Sequence, residues 1–284
     1  MPSGKPKAGE SLADLFPDVA SEWHPTLNGD LTPINVVAGS GKKVWWKCDK
    51  GPDHEWETTV VKRTTYGRGC HFCTNKKASV TNSLASLFPD IASEWHPTKN
   101  GDLTPDQVVA GTGNKFWWKC PEGSDHEWET TPHKRTGVSK TNCPYCTGQR
   151  VSVTNSLASL NPELALEWHP TKNGELTPHD VTWGSNKKYW WKCSVAEDHE
   201  WEASVAERNA GGQGCPCCAG KKVSVTNRLD ILFPEVAQKW HPTKNGDLKP
   251  SQVIAGSETK RWWKCDKGPD HEWMAEPASM VRDR

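Results

Sequence analysis

Three cysteines and one histidine recur in this sequence at a spacing that suits metal binding. In the first copy, Cys48, His54, Cys70 and Cys73 follow the pattern C-x5-H-x15-C-x2-C. Thiolates and imidazole are the ligands of tetrahedral structural zinc, and four of them fill its coordination sphere. The sequence therefore predicts a closed Zn²⁺ site that leaves no position for a reacting water molecule.

The same ligand set recurs along the chain, which makes the prediction stronger than a lone C-x-x-C would. The predicted ligands of the second and third sites are Cys120, His126, Cys143, Cys146, Cys193, His199, Cys215 and Cys218. A fourth copy begins with Cys265 and His271 but has no C-x-x-C after them, so only a partial metal site is predicted there. We expect three structural zinc ions per chain.

Interpretations without metal remain open for these residues. The eleven cysteines could form disulfides in a secreted protein, but the start of the chain is polar and lacks the apolar segment of a signal peptide. We therefore expect a cytoplasmic location, where thiols stay reduced and available to metal. The histidine of each set could instead be a packed core residue, although its fixed spacing from the cysteines favours a ligand.

Five further residues of metal-binding type are interpreted as packing or capping groups. Cys217 lies between two predicted ligands, where the first two copies have Phe72 and Tyr145, so we expect it to fill the core. The other four precede proline outside the ligand pattern, which favours a capping or packing role over a ligand role: His24, His96, His169 and His241.

A hairpin is needed to position the first two ligands of each set. Residues 43–48 combine aromatic and β-branched side chains with alternating faces, which predicts a strand. Residues 55–60 predict its antiparallel partner. Cys48 and His54 then lie in the loop between the strands, and the C-x-x-C follows a glycine-rich turn.

The segment before each hairpin predicts two short helices. In the first copy, Leu15, Val19 and Trp23 are spaced for one helix face. Ser11 is a suitable N-cap, and Pro17 suits the first turn of the second helix. The block Trp-His-Pro-Thr-x-Asn-Gly follows and predicts a structural turn between helices and hairpin. An alternative role, contact with phosphate, is open for its lysines: Lys99, Lys172 and Lys244.

A Trp-Trp pair recurs with a period of about 72 residues, which predicts an array of similar units. Hydrophobic residues make up only 34% of the chain, so each small unit needs a metal to stabilise it, and the 17 tryptophans supply much of its core. The predicted fold class is a small metal-stabilised α+β protein. Its predicted parts are a flexible leader (1–9), three complete repeats (10–80, 81–152, 153–225) and an incomplete one (226–284).

Charge is uneven along the chain, although the formal net charge is zero. Residues 9–35 carry five acidic groups and no Lys or Arg, whereas residues 36–80 carry nine basic groups and four acidic ones. The first module is therefore polarised, but a continuous basic stripe is not established. The residues predicted to contact nucleic acid are Arg63, Arg135, Arg208, Lys43, Lys115 and Lys188. The alternative for the arginines is a solvated face with a local salt bridge to Glu57 or its copies.

Taken together, the motifs resemble one known family. The pattern Trp-Trp-Lys-Cys…His-Glu-Trp…Gly-Cys-Pro-x-Cys, preceded by Trp-His-Pro-Thr-Lys-Asn-Gly, is similar to the tandem treble-clef (zinc-ribbon) zinc-finger repeats of bacteria and viruses. The resemblance covers residues 11–273. It implies Cys, His, Cys and Cys as ligands, and treble-clef modules that each combine a short helix pair with a zinc-binding hairpin and a following short helix. The long loop from Cys48 to His54 and the incomplete fourth module depart from the family pattern.

The resemblance also implies a function. Some relatives are joined to nuclease-like domains, which implies nucleic acid as a ligand and a nuclease or other protein as a partner. We therefore predict a modular nucleic-acid-binding protein, with DNA favoured over RNA. The alternative is a protein-interaction scaffold or adaptor with structural zinc, which the neutral net charge and the acidic helical segments favour.

Other function classes are not expected from this sequence. It contains no phosphate-binding glycine loop, no Ser-His-Asp order and no recurring acidic cluster, so we predict neither an enzyme nor a small-molecule substrate. No apolar run approaches the roughly 18 residues of a membrane span, so no membrane partner is expected.

Overall fold

The computed structural model describes residues 5–282, so part of the predicted leader and the last two residues of the chain lie outside it. The backbone forms two compact units, one ending at Pro144 and the other beginning at Tyr145. The described residues contain four two-stranded antiparallel hairpins. We use the repeat boundaries 10–80, 81–152, 153–225 and 226–284 to name modules 1 to 4.

The hairpins form where aromatic and β-branched residues alternate with polar ones. The strands are β1 (Lys43–Lys47), β2 (Glu55–Thr59), β3 (Phe116–Lys119), β4 (Glu127–Thr130), β5 (Lys188–Lys192), β6 (Glu200–Ser204), β7 (Arg261–Lys264) and β8 (Glu272–Ala275). In module 1, Trp46 lies opposite Trp56, and alternation along β1 buries Trp46 while it exposes Trp45. The predicted strands are confirmed.

The helices have four to six residues each. They are α1 (Leu12–Leu15), α2 (Pro17–Ser21), α3 (Val60–Thr64), α4 (Leu84–Leu87), α5 (Pro89–Ala92), α6 (Pro132–Thr136), α7 (Leu157–Leu160), α8 (Pro162–Ala165), α9 (Val205–Asn209), α10 (Leu229–Leu232), α11 (Pro234–Ala237) and α12 (Pro277–Arg282). Helices this short are unstable alone in water, so they depend on packing against the hairpins. Between residues 5 and 282, none of them has the length and apolar character to cross a bilayer.

The predicted pair of short helices is present at the start of module 1. Ser11 caps α1 and forms a capping box with Asp14, and Pro17 is the first residue of α2. The chain bends between the helices at Phe16, where φ is −139° and ψ is 63°. The spacing puts Leu15 on one helix face with Val19 and Trp23, but this side chain is 54% exposed after the bend, and Leu12 is buried instead.

Main-chain hydrogen bonds join the helical half of module 1 to the edge of its hairpin. The Lys47 amide donates to the Glu22 carbonyl (2.7 Å). The Asn28 side chain pairs with the backbone of Trp45 in both directions, as its Oδ1 accepts from the amide (2.7 Å) and its Nδ2 donates to the carbonyl (2.9 Å). Gly29 then turns the chain with φ of +55°, a conformation that favours glycine. These contacts support a structural role for the Asn-Gly block.

One tryptophan lies at the centre of each module. The four residues are completely buried and correspond in sequence: Trp46, Trp118, Trp191 and Trp263. In module 1, the ring of Trp23 meets that of Trp46 edge to face at a centroid distance of 5.5 Å. Burial of one such ring removes on the order of 150–250 Å² from water, or about 4–6 kcal/mol of hydrophobic free energy. This contact packs the helical half against the hairpin.

Candidate metal centres

The predicted ligands of module 1 meet at the end of its hairpin. Cys48 follows β1 directly, His54 precedes β2 directly, and the Cys48 amide donates to the His54 carbonyl (3.0 Å) to close the loop. Cys70 and Cys73 come from the turn after α3. The four donor atoms lie within 4.8 Å of one another.

Their separations fit a tetrahedral metal ion. The Sγ atoms of Cys48 and Cys73 are 3.6 Å apart, and His54 Nδ1 lies 3.7 Å from Cys70 Sγ and 3.5 Å from Cys73 Sγ. Bond lengths of about 2.3 Å to sulfur and about 2.0 Å to nitrogen imply donor separations of about 3.5–3.8 Å around tetrahedral zinc. The contacts therefore match the edges of one coordination tetrahedron.

Modules 2 and 3 contain equivalent groups of donors. The groups are Cys120, His126, Cys143 and Cys146, and Cys193, His199, Cys215 and Cys218. In module 3, His199 Nδ1 lies 3.7, 3.5 and 3.4 Å from the Sγ atoms of Cys193, Cys215 and Cys218, respectively. The structure thus places all twelve residues predicted as ligands in three sites that could each hold a metal ion.

The second nitrogen of the His54 ring is occupied by hydroxyl groups. Nε2 lies 3.1 Å from Ser79 Oγ and 2.8 Å from Thr81 Oγ1. These contacts orient the ring so that Nδ1 faces the three sulfurs, as expected for a metal-binding histidine supported by outer hydrogen bonds. The hydroxyl groups were not predicted from the sequence, although Ser-Val-Thr-Asn recurs after each C-x-x-C.

The thiol groups need a cation in order to ionise together. Loss of hydration at the sulfur and hydrogen bonds with Cys48 and Cys70 raise the pKa of the Cys73 thiol to about 12. The same causes raise the pKa of Cys218 to about 12. Since a metal ligand must be a thiolate, a bound cation would supply the charge that stabilises three sulfurs at one point. In addition, the amide of Lys50 donates to Cys48 Sγ (3.5 Å).

Module 4 contains half of this arrangement. Cys265 Sγ lies 3.4 Å from His271 Nδ1, and the Cys265 amide donates to the His271 carbonyl (3.2 Å), as in the complete sites. Among residues 5–282, no further Cys, His, Asp or Glu donor joins them to make a group of three. His271 is also exposed, whereas His54 is buried. The partial site remains a prediction.

The second histidine set caps a turn, as expected. In module 3, His169 Nδ1 accepts from the amides of Thr171 and Lys172, and its Nε2 lies 2.9 Å from Glu200 Oε1. Lys172 is paired with the same carboxylate, and the two contacts lower the pKa of Glu200 to about 2. Lys172 Nζ also lies 4.3 Å from the ring centroid of Trp190. This lysine is therefore engaged within the protein, which favours its structural role.

The arginines predicted to contact nucleic acid do not lie on an exposed face. Arg63 is buried, its guanidinium lies 5.0 Å from the ring centroid of Trp46 and 5.3 Å from that of Trp56, and it pairs with Glu22. The corresponding ion pairs are Arg135 with Glu94 and Arg208 with Glu167. The expectation of exposed arginines is wrong because an acidic side chain of the helical half and two aromatic rings enclose each guanidinium. The proposed partner Glu57 is also wrong.

The predicted lysine contacts remain exposed at the start of their hairpins. The ammonium groups of Lys43 and Lys115 lie 3.9 Å from Glu57 and Glu129, a distance at which a solvated ion pair is weak. Lys188 is also exposed. These lysines are therefore available to a ligand.

Module 1 also has exposed cations around its C-x-x-C turn, which were not predicted from the sequence. Arg68, Lys76 and Lys77 are exposed, and we call them the cationic turn. The pKa of His71, which lies between these residues in the sequence, is lowered mainly by partial burial and further by their three positive charges. Positive charge is therefore concentrated on this side of module 1.

Cys217 packs in the core, as expected. It is 2% exposed, and the C-x-x-C geometry directs Cys215 and Cys218 at His199 instead. At the corresponding position of module 1, Phe72 stacks on His54 with a centroid distance of 5.0 Å. Cys217 thus replaces a side chain that packs beside the metal site.

Comparison with known proteins agrees with this arrangement. A family described as a probable treble clef zinc finger domain matches the sequence four times, over residues 19–76, 91–149, 164–221 and 236–284. Each match begins within the second short helix of a module, and the first three extend beyond the C-x-x-C. A search of curated proteins finds no match.

Proposed function

Because the chain belongs to the family of probable treble clef zinc finger domains, we propose that it binds nucleic acid through modules held together by structural zinc. The three-thiolate donor sets and their tetrahedral spacing favour zinc over harder metals. Four protein donors at each site leave no position for a reacting water, so the proposed role is binding without catalysis.

The cationic turn is the observation that carries this proposal. The cationic turn presents three exposed charges, those of Arg68, Lys76 and Lys77. Binding of a metal by Cys70 and Cys73 would fix the backbone that carries them. A fixed group of cations can neutralise neighbouring phosphates and release their counterions, which provides affinity without sequence specificity. Arg63 and its copies take no part, because they are buried.

An aromatic surface on the same module supports the proposal. Lys43, Trp45 and Lys47 lie on the exposed face of β1, in the alternating order of cation, ring and cation. In module 2, Lys99 Nζ covers the corresponding ring of Trp117 at 4.4 Å from its centroid. Module 1 has leucine at the position of Lys99, and the ring of Trp45 is exposed. Lys47 is paired with Glu55 (2.7 Å), whereas Lys43 is more weakly paired. A base stacked on the Trp45 ring would therefore have Lys43 beside it to contact a phosphate.

The proposed location is the cytoplasm, and DNA is the first ligand to test. The eleven cysteines form no disulfide in the described part of the chain. Thiolate ligands need a reducing compartment, which supports a cytoplasmic location. RNA enters the test as the competing ligand, since phosphate contacts and stacking serve both nucleic acids.

A salt titration tests the proposal. Fluorescence anisotropy would measure the binding of duplex DNA, single-stranded DNA and RNA, all of mixed sequence, from low to high salt. We expect log K to fall with log salt with a slope of about −2 to −4.5, as for three to five phosphate contacts. Absence of binding to all three probes at low salt would overturn the proposal.

A charge-matched control separates the contribution of the cationic turn to binding from the contribution of the overall charge of the protein. Simultaneous substitution of Arg68, Lys76 and Lys77 by alanine should reduce the steepness of the salt dependence by about 2–3. The control replaces three exposed lysines of module 4 by alanine: Lys249, Lys260 and Lys267. Equal losses in the two triple variants would show that the cationic turn is not the binding surface.

A protein-interaction scaffold is the second candidate function, and module 3 provides the observation that favours it. Trp183 and Leu166 expose large apolar side chains, although the corresponding residues of module 1 are the buried Ala38 and the polar Ser21. A protein partner, such as a nuclease, could cover them. Co-purification that resists nuclease and high salt, and that Trp183→Ala abolishes, would support this role over nucleic-acid binding.

A further inference from the structure

The outer hydrogen bonds of the first metal site come from the segment that leads into the next module. Ser79 and Thr81, whose hydroxyls contact His54 Nε2, belong to residues 79–83, which we call the first linker. Their two hydroxyls also lie 2.8 Å apart. His54 and Ser79 are both buried, so water does not compete for these hydrogen bonds. The linker is thus in direct contact with a metal ligand.

Two further contacts fix the first linker on both parts of the site. The Val80 amide donates to Asp53 Oδ2 (2.9 Å), in the loop that carries His54. Asn82 Nδ2 donates to the Phe72 carbonyl (2.8 Å), between the two cysteines of the C-x-x-C. The linker therefore connects the histidine loop to the cysteine turn, and this full set of contacts requires both parts to be in place.

The other end of the first linker begins module 2. Ser83 caps α4 by accepting from the Ser86 amide (3.3 Å). The Ala110 amide donates to the Asn82 carbonyl (3.0 Å), and the Leu84 amide donates to the Val108 carbonyl (2.8 Å). One five-residue segment therefore supplies hydrogen bonds to a metal site on one side and to the start of the following module on the other.

The second compact unit repeats this arrangement between modules 3 and 4. His199 Nε2 lies 3.0 Å from Ser224 Oγ and 2.9 Å from Thr226 Oγ1. Asn227 Nδ2 donates to the Cys217 carbonyl (3.1 Å), and the Ala255 amide donates to the Asn227 carbonyl (2.8 Å). We call residues 224–228 the last linker. Recurrence in a separate unit argues that the contacts are a built feature of the fold.

We propose that each of these linkers is part of the metal site before it, so that metal binding in one module orders the start of the next. A metal ion held by Nδ1 would fix the histidine tautomer with hydrogen on Nε2 and would strengthen that donor toward the linker hydroxyls. Ser79, Thr81, Ser224 and Thr226 are positioning residues. By reciprocity, a linker held in place strengthens metal binding. The inference rests on the proposed zinc occupancy and is independent of nucleic-acid binding.

Zinc release from the full chain tests one direction of this coupling. The double variant Ser79→Ala with Thr81→Val removes both hydroxyls, and Ser79→Thr with Thr81→Ser keeps them. A chromogenic chelator would count the zinc ions and their release rates. We expect the first variant to weaken the binding of one of three ions by about 10–100-fold, and the second variant to restore wild-type release.

Hydrogen exchange tests the other direction without changing the linkers. In the variant Cys70→Ser with Cys73→Ser, the first site loses two ligands. We expect faster amide exchange at residues 79–84, and unchanged exchange at residues 224–229, where the third site is intact. The matching variant Cys215→Ser with Cys218→Ser should reverse the two responses.

The outcomes distinguish the inference from the zinc assignment. If the chain holds three zinc ions but the hydroxyl-free variant releases them at the wild-type rate, the inference is overturned. It is also overturned if linker exchange does not respond to loss of the preceding site. A wild-type chain without zinc, established by elemental analysis, would instead overturn the metal assignment on which the inference rests.

Discussion

The buried Arg63 forms an ion pair with the partly exposed Glu22 in module 1, with Nη2 and Oε2 2.5 Å apart, although the two residues are 41 positions apart in the sequence. The guanidinium lies between the hairpin tryptophans, while the carboxylate belongs to the helical half. Module 4 has Met280 and Lys239 at the two corresponding positions, and Met280 packs against its core. The position thus accepts either a paired cation or an apolar side chain of similar length.

This relationship predicts how module 1 responds to substitution of Arg63. Arg63→Ala should lower the free energy of unfolding by about 2–4 kcal/mol, because it removes buried packing and leaves Glu22 without its partner. Arg63→Met also leaves Glu22 unpaired, but it keeps the buried packing that Met280 supplies in module 4, so it should cost less than half as much. Denaturant unfolding of zinc-loaded protein would provide the measurement.

The exposed Arg68 is the control for that prediction. Arg68→Ala should change stability by no more than about 0.5 kcal/mol, because its side chain is a solvated surface group. It should nevertheless weaken nucleic-acid binding. A large loss of stability in Arg68→Ala would contradict the assignment of Arg68 to the surface. No loss in Arg63→Ala would contradict the assignment of Arg63 to the core.

Substitution of neighbouring cysteines in module 3 should affect metal content differently. Cys218→Ser removes a donor that lies 3.4 Å from His199 Nδ1, so the zinc content should fall from three ions toward two. Cys217→Ala leaves every donor in place and should keep three ions, with a modest loss of packing. Elemental analysis would measure the zinc content of both variants. Loss of zinc from Cys217→Ala would show that Cys217 is a ligand and would contradict its assignment to the core.

Two corresponding tryptophans should differ in their effect on binding. Trp45→Leu should weaken binding to single-stranded DNA by about 5- to 160-fold, since stacking on a base contributes roughly 1–3 kcal/mol. Trp117→Leu should have a smaller effect, because Lys99 already covers that ring. Anisotropy with an oligonucleotide of mixed sequence measures both variants, and equal affinities would argue against stacking on Trp45.

The side chain of Asn28 should stabilise module 1 by holding the edge of β1. Asn28→Ala leaves the amide and carbonyl of Trp45 without their side-chain partners, and we expect a loss of about 1–2 kcal/mol. Asn28→Asp keeps the acceptor and loses the donor, so its loss should be intermediate. Thermal unfolding would rank the variants, and an unchanged Asn28→Ala would show that water replaces both hydrogen bonds.

The ligands and hairpins could be predicted from the sequence because they depend on local spacing. Cys48 and His54 flank a turn that alternating residues define, and three near-identical copies exclude coincidence. Pro17 made the break near Phe16 predictable, but the exposure of Leu15 that results from the break was not predicted. A helix-face pattern assumes one continuous helix, and a break rotates the residues after it onto another side.

The buried arginines were missed because arginine is usually exposed, and two of the three also follow a lysine. A signal was nevertheless present in the chain: Arg63, Arg135 and Arg208 occur with Glu22, Glu94 and Glu167, and both positions change together in module 4. The linker hydroxyls carried a weaker signal. Ser79 and Thr81 have no charge, so only the repetition of Ser-Val-Thr-Asn distinguishes them from an ordinary connection.

The hairpin of module 4 brings Cys265 and His271 together without a C-x-x-C. Half of the coordination geometry is therefore encoded by strand pairing alone. During synthesis, the hairpin with its Cys and His ligands emerges from the ribosome before the C-x-x-C in every complete module. These two ligands form a bidentate chelate that can bind an ion early. The cysteine turn then has to close a loop of only about 15 residues over an ion already in place, and such closure takes well under a microsecond. Metal binding by a nascent chain should thus occur in two steps in each module, first at the hairpin and then at the cysteine turn, and the modules should bind their ions one after another.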